Sequence, residues 1–128
     1  MNKVYLAGKM SGANYLNTFE KFIRAENRLC RLGFQVVNPM NLVKNPSANR
    51  NLTIRICLGT MLEQCDTIFM LPDWKTSRGA RLAYENANQL EFYLLTEDKV
   101  LEIEKFTIDT KKARGNNPSL LKIEKPLI

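Results

Sequence analysis

Histidine is absent from the 128 residues. Its absence removes imidazole acid–base catalysis, a Ser-His or Cys-His nucleophile and the commonest zinc ligand. Any chemistry must therefore rest on carboxylates, hydroxyls, thiols or backbone. Cysteine is scarce: Cys30, Cys57 and Cys65 form no C-x-x-C pair and cannot all pair with one another. Reduced, mostly buried thiols are expected rather than a disulfide framework. No apolar stretch approaches the length that crosses a bilayer. The chain also enters its first strand without a charged-then-apolar leader, so a cytoplasmic protein with no membrane partner is expected. No internal repeat or low-complexity tract is evident, and nothing indicates a metal site or a cofactor.

What is present is ordinary for a globular domain, with 45% hydrophobic and 25% charged residues. The length suits one domain that buries a sheet between two helical layers. The net charge is +6. It is not confined to a tail, because residues 1–98 hold twelve Lys/Arg against nine Asp/Glu and residues 99–128 hold seven against four. Such a balance attracts phosphates, although many proteins are this basic with no anionic partner.

Residues 4–7 read as a first strand, followed by a loop of small and polar residues and a helix over about 16–32. Gly33 closes that helix as a C-terminal cap would, and 34–37 is a second strand ended by Asn38-Pro39. Residues 41–51 are loop, 52–63 a second helix, 67–71 a third strand, 80–90 a third helix and 92–95 a fourth strand. Residues 99–110 fit helix or strand, and 120–123 a last short strand. Strands alternating with helices predict a parallel sheet with right-handed crossovers: a flavodoxin/Rossmann-like three-layer α/β domain of four to five strands. The domain is placed at 1–98, with 99–128 an extension packing on or flanking it.

Two loops meet at the carboxyl edge of such a sheet. Gly8, Lys9, Met10, Ser11 and Gly12 follow the first strand; the stretch from Asp73 through Ser77, Arg78 and Gly79 follows the third. The crevice beside the first strand, where the strand order reverses, lies between them. Free N–H groups in the first turn of the helix after Gly79 suit an anion. Glycine lets backbone approach a ligand, and Ser11 and Ser77 offer hydroxyl donors. Tight strand-to-helix turns would use the same residue types.

The segments KVYLAGKMSG, RLGFQVVNP and LEQCDTIFMLPDW followed by SRGARLAYENA resemble the nucleoside 2-deoxyribosyltransferase-like family, especially a small single-domain branch common in bacteria and phages. The resemblance covers most of residues 3–90. It implies a transferase or N-glycosidase ancestry, a nucleotide-like ligand and a homodimer in which a neighbouring subunit closes each site. In active relatives a glutamate four residues beyond the loop glycine attacks the anomeric carbon. That position here is Ala83. A second acid, eight residues before the equivalent of Asp66, falls on Leu58. No methyl group can form the sugar–enzyme ester, and Glu85, two residues on, turns about 200° away around a helix. The standard glycosyl transfer is therefore not expected, and whether any catalysis survives stays open.

Relatives acting on nucleoside 5′-monophosphates carry serine where this chain has Ser77, whereas those acting on free nucleosides commonly carry aspartate. Lys9 replaces a proline usual in the family, and Asp73 stands where glycine is usual. Asp66 also remains, at a strand's start where a structural role is expected, so Asp73, at the strand's outgoing end, is the best remaining candidate for a catalytic carboxylate. Trp74 matches the family's Pro-Gly-Trp and anchors the loop or stacks on a base. On the first helix, Lys21, Arg24, Arg28 and Arg31 form a basic stripe, either solvated or touching phosphates. Three functions follow as alternatives: a nucleotide-binding pseudoenzyme, an N-glycosidase or deoxyribosyltransferase using Asp73, and a nucleic-acid-binding accessory protein.

Overall fold

The computed structural model describes residues 2–11 and 14–113. Four strands, β1 (Lys3–Ala7), β2 (Gln35–Val37), β3 (Thr67–Met70) and β4 (Tyr93–Leu95), alternate with four helices. These are α1 (Tyr15–Arg31), α2 (Arg50–Gln64), α3 (Arg78–Gln89) and α4 (Glu97–Ala113). Every strand pair is parallel and the order is β2-β1-β3-β4. The domain is therefore the three-layer, doubly wound α/β fold that the alternation predicts. The segment left open at 99–110 belongs to α4. Gly12 and the strand expected at 120–123 lie outside the described residues.

Each helix starts on a side chain that accepts a first-turn N–H, which is why Asn, Ser and Thr stand at these boundaries. Asn14 Oδ1 accepts from Asn17, Asn49 Oδ1 from Leu52, Ser77 Oγ from Ala80 and Thr96 Oγ1 from Lys99, at 3.0–3.2 Å. Helix α1 ends where Gly33 adopts φ +93°, a conformation costly for any residue with a Cβ. There the N–H of Phe34 returns to the Leu29 carbonyl and that of Gly33 to the Cys30 carbonyl.

Alternation along β1 sends its side chains into two cores. Val4 and Leu6 join Phe22, Ala25 and Leu29 of α1 and Val100 and Ile103 of α4. Tyr5 and Ala7 join Cys57 and Met61 of α2 and Ala80, Ala83 and Ala87 of α3. Burying a side chain such as Phe22 or Leu29 completely contributes about 1.5–3 kcal/mol each. Asp66, at the head of β3, ties strands together: its Oδ1 accepts the Lys3 N–H at 3.1 Å and the Thr67 hydroxyl at 2.9 Å.

Helix α4 is clasped to α1 by Arg28. Its guanidinium meets both oxygens of Glu97 at 2.7 and 2.8 Å and both of Glu104 at 2.9 Å. Lys21 is likewise engaged, as described below. Of the basic stripe on α1, only Arg24 and Arg31 remain exposed.

Candidate functional site

A cleft of about 440 Å³ opens at the carboxyl edge of the sheet, beside β1. Three elements wall it. The end of β1 and its loop supply Tyr5, Ala7, Gly8, Lys9, Met10 and Ser11. Helix α2 and the loop before it supply Pro46, Arg50, Thr53, Ile54, Cys57 and Leu58. The turn into α3 and its first two turns supply Thr76, Ser77, Arg78, Gly79, Ala80, Arg81 and Ala83. Of the residues singled out from sequence, Gly8, Lys9, Met10, Ser11, Ser77, Arg78 and Gly79 are thus brought together.

Asp73 is not among the lining residues. Its Oδ1 accepts the Lys9 N–H at 3.0 Å, and its Oδ2 lies 2.5 Å from Lys21 Nζ. Lys21 Nζ also donates to the Lys9 carbonyl at 2.8 Å. The carboxylate joins the β1 loop to the β3 loop. Gly8 is needed at this junction, because a Cβ there would lie 2.7 Å from Leu71 Cδ1 and 2.9 Å from Leu71 Cβ. A Cβ on Gly79 would approach Ile54 Cγ1 to 3.2 Å, so its hydrogen lets α3 and α2 close together at the cleft.

Ser77 caps α3 with its oxygen at 3.2 Å from the Ala80 nitrogen, which leaves the hydroxyl proton available to a ligand. Among the described residues, the N–H groups of Arg78 and Gly79 are the first-turn donors left without a backbone or side-chain acceptor. Arg78 donates to Asn51 Oδ1, and Arg81 donates to the Lys75 carbonyl at 2.7 Å. Lys9 and Arg50 have no side-chain partner among the described residues.

Lys9, Arg50, Arg78 and Arg81 give the lining four cations, and it contains no Asp or Glu. The floor is neutral at pH 7: burial pushes the Cys57 thiol up to about 11, and burial with the neighbouring Cys57 raises the Tyr5 phenol well above 10. Met10 Sδ lies 4.0 Å from Cys57 Sγ. Ala83 lines the cleft at 3% exposure from α3 and Leu58 lines it from α2, while Glu85 is exposed on the other side of α3. Trp74 stands outside the lining, its ring 5.0 Å from that of Tyr84 and packed on the α2–α3 core. It anchors the loop.

Sequence inspection missed Arg50, Thr53, Ile54 and Cys57, although with Leu58 their spacing of three and four marks one face of α2. The signal is masked because α2 carries apolar residues around most of its circumference. Arg81 and Tyr5 were missed as well: each lies near a site loop but in a stretch otherwise assigned to helix or core. Among the described residues no group of three or more His, Cys, Asp or Glu is placed to hold a metal ion. No helix among them is long and apolar enough to cross a membrane.

Fold and cleft together define a doubly wound α/β domain with a cationic crevice at its topological switch point. The chain belongs to the family described as a domain of unknown function (DUF4406), which matches residues 2–96, from β1 through β4. No curated protein and no solved structure matches it.

Proposed function

We propose that this domain binds a nucleotide, of the nucleoside 5′-monophosphate class, as a nucleoside 2-deoxyribosyltransferase-like pseudoenzyme. The observation that carries the proposal is the lining of the cleft, with four cations and no carboxylate. Phosphate is attracted by Lys9, Arg50 and the first turn of α3, where a carboxylate would repel it. Met10, Ile54 and Leu58 offer an apolar wall to a base, and about 440 Å³ is within the size range of small-ligand sites.

Loss of glycosyl transfer follows from Ala83 and Leu58, which line the cleft where the resemblance puts the two acids. An active N-glycosidase would need Asp73 instead, and both its oxygens are held by Lys9 and Lys21. A homodimer in the cytoplasm belongs to the same proposal.

The test is titration calorimetry with a panel of nucleosides and their 5′-monophosphates, with chromatography of the mixtures for free base. Wild type should bind monophosphates more tightly than nucleosides and release no base. Base release should arise only in Ala83→Glu or in the double Ala83→Glu, Leu58→Asp. Robust turnover by wild type would defeat the non-catalytic assignment, and failure to bind any monophosphate would defeat the nucleotide assignment.

A further inference from the structure

Among the described residues, the buried hydroxyl and amide side chains are satisfied by oxygen or backbone partners, with one exception. Thr53 donates to the Pro46 carbonyl at 3.1 Å, and Thr67 donates to Asp66 Oδ1 at 2.9 Å. Asn38 donates to Glu26 Oε1 at 3.0 Å and accepts the Met40 N–H at 2.9 Å. The exception is Tyr5, in the middle of β1 and 4% exposed. The partner its hydroxyl meets is the Cys57 thiol, a weak donor and a weak acceptor. A buried phenol ordinarily finds a strong partner, because an O–H taken out of water without one is costly.

That hydroxyl belongs to the cleft. Tyr5 and Cys57 line its inner end with Ala7, Ala80 and Ala83, all of them buried. The lining holds no Asp or Glu to accept the phenol proton. The cations stand at the other end, where Arg50, Arg78 and Arg81 are exposed and Lys9 is half-buried. The cleft is thus divided: positive charge where it meets solvent, and a methyl-lined floor whose strongest hydrogen-bonding group is a phenol. Burial keeps the protons on Tyr5 and Cys57, and the same desolvation penalises any charge a ligand would carry to that floor.

We propose that the Tyr5 hydroxyl is a specificity determinant of the cleft, donating to an uncharged hydroxyl or carbonyl oxygen at the end of the ligand farthest from its phosphate. Resting on the nucleotide assignment above, this gives the ligand a direction. Its phosphate stays at the mouth among the cations, the nucleoside points inward, and the inner end carries no second charge. A ligand without an acceptor at that end would leave the phenol with its thiol alone, and so would be bound less well.

Calorimetry of wild type and Tyr5→Phe tests it, with the nucleoside 5′-monophosphate that binds best, the corresponding nucleoside and inorganic phosphate as probes. The substitution keeps the ring and removes only the donor. It should weaken monophosphate and nucleoside by the same factor, about tenfold, the equivalent of about 1.4 kcal/mol. Inorganic phosphate, which has no inner end, should bind both proteins equally. The urea midpoint of Tyr5→Phe should match that of wild type, since the contact given up is with a thiol. Equal affinity of the two proteins for the monophosphate overturns the proposal. A weaker grip on inorganic phosphate, or a fall in unfolding stability that accounts for the lost binding, overturns it as well by making the hydroxyl structural. If wild type binds no monophosphate, the nucleotide assignment fails and this one with it, whereas an indifferent Tyr5→Phe defeats this one alone.

Discussion

Lys21 Nζ lies 2.5 Å from Asp73 Oδ2, and both side chains hold Lys9, one through its carbonyl and the other through its N–H. Two loops separated by more than sixty residues are thereby fixed to each other at the mouth of the cleft. The pair is only partly exposed, at 26% and 34%, so it is screened less than a surface bridge. Asp73→Ala should cost about 2 kcal/mol in urea unfolding by removing both interactions. Asp73→Asn, which keeps an acceptor for the Lys9 N–H, should lose roughly half of that. Equal stability of wild type and Asp73→Ala would refute the clasp.

Gly8 fails to admit even one methyl group. Leu71 Cδ1 and Cβ stand 2.7 and 2.9 Å from where a Cβ would go, and Leu71 is buried at 4% exposure, so it cannot swing aside into solvent. Gly8→Ala should therefore lower stability by about 1–3 kcal/mol, as overpacking does. A melting temperature within a degree of wild type, by differential scanning calorimetry, would count against this.

Much of this was legible beforehand, for physical reasons that differ by element. The continuous apolar run of β1, buried on both faces, the Gly33 stop and the Ser77 cap all leave local marks, and each described helix and strand falls near its expected bounds. Helix α4 did not declare itself, because what holds it is Arg28 of α1, some seventy residues away, and no local spacing reports that contact. The same contact, with that of Lys21, breaks up what looked like a continuous basic stripe. At the site, the two Gly-containing loops were visible as turn chemistry. Arg50 and Cys57 were not, since they reach the cleft only through the crossover that lays α2 over the sheet.

The clasp of Arg28 also sets a pH dependence. Hydrogen bonds from Arg28 hold the Glu104 carboxyl below its ordinary value, outweighing partial burial. A carboxyl whose folded pKa is depressed contributes stability that is complete above the unfolded value, about 4.3 for Glu, and lost as pH falls toward the folded one. Docking of α4 should therefore weaken on acidification below about pH 4.3, and Arg28→Ala should abolish that part of the acid sensitivity. Hydrogen exchange of the amides of residues 100–104 at pH 6 and pH 3.5, in wild type and Arg28→Ala, measures it. Identical acid responses in the two proteins would exclude the clasp as the cause.

Cations differ in value according to where they point. Lys9 and Arg50 line the cleft without side-chain partners among the described residues, whereas Arg24 lies on α1 at 75% exposure, 4.0 Å from Glu20. If the cleft takes a phosphate, Lys9→Ala and Arg50→Ala should each weaken a nucleoside 5′-monophosphate by about tenfold, the effect of losing one charge-assisted contact. The corresponding nucleoside should change little, since it presents no anion, and Arg24→Ala should leave both ligands unaffected. The contrast separates a built phosphate site from the general attraction of a +6 protein, for which every lysine and arginine would count alike. Calorimetry at two salt concentrations reads both terms. A general surface effect would appear as equal losses for Arg24→Ala and Lys9→Ala, with a steep fall in affinity on adding salt.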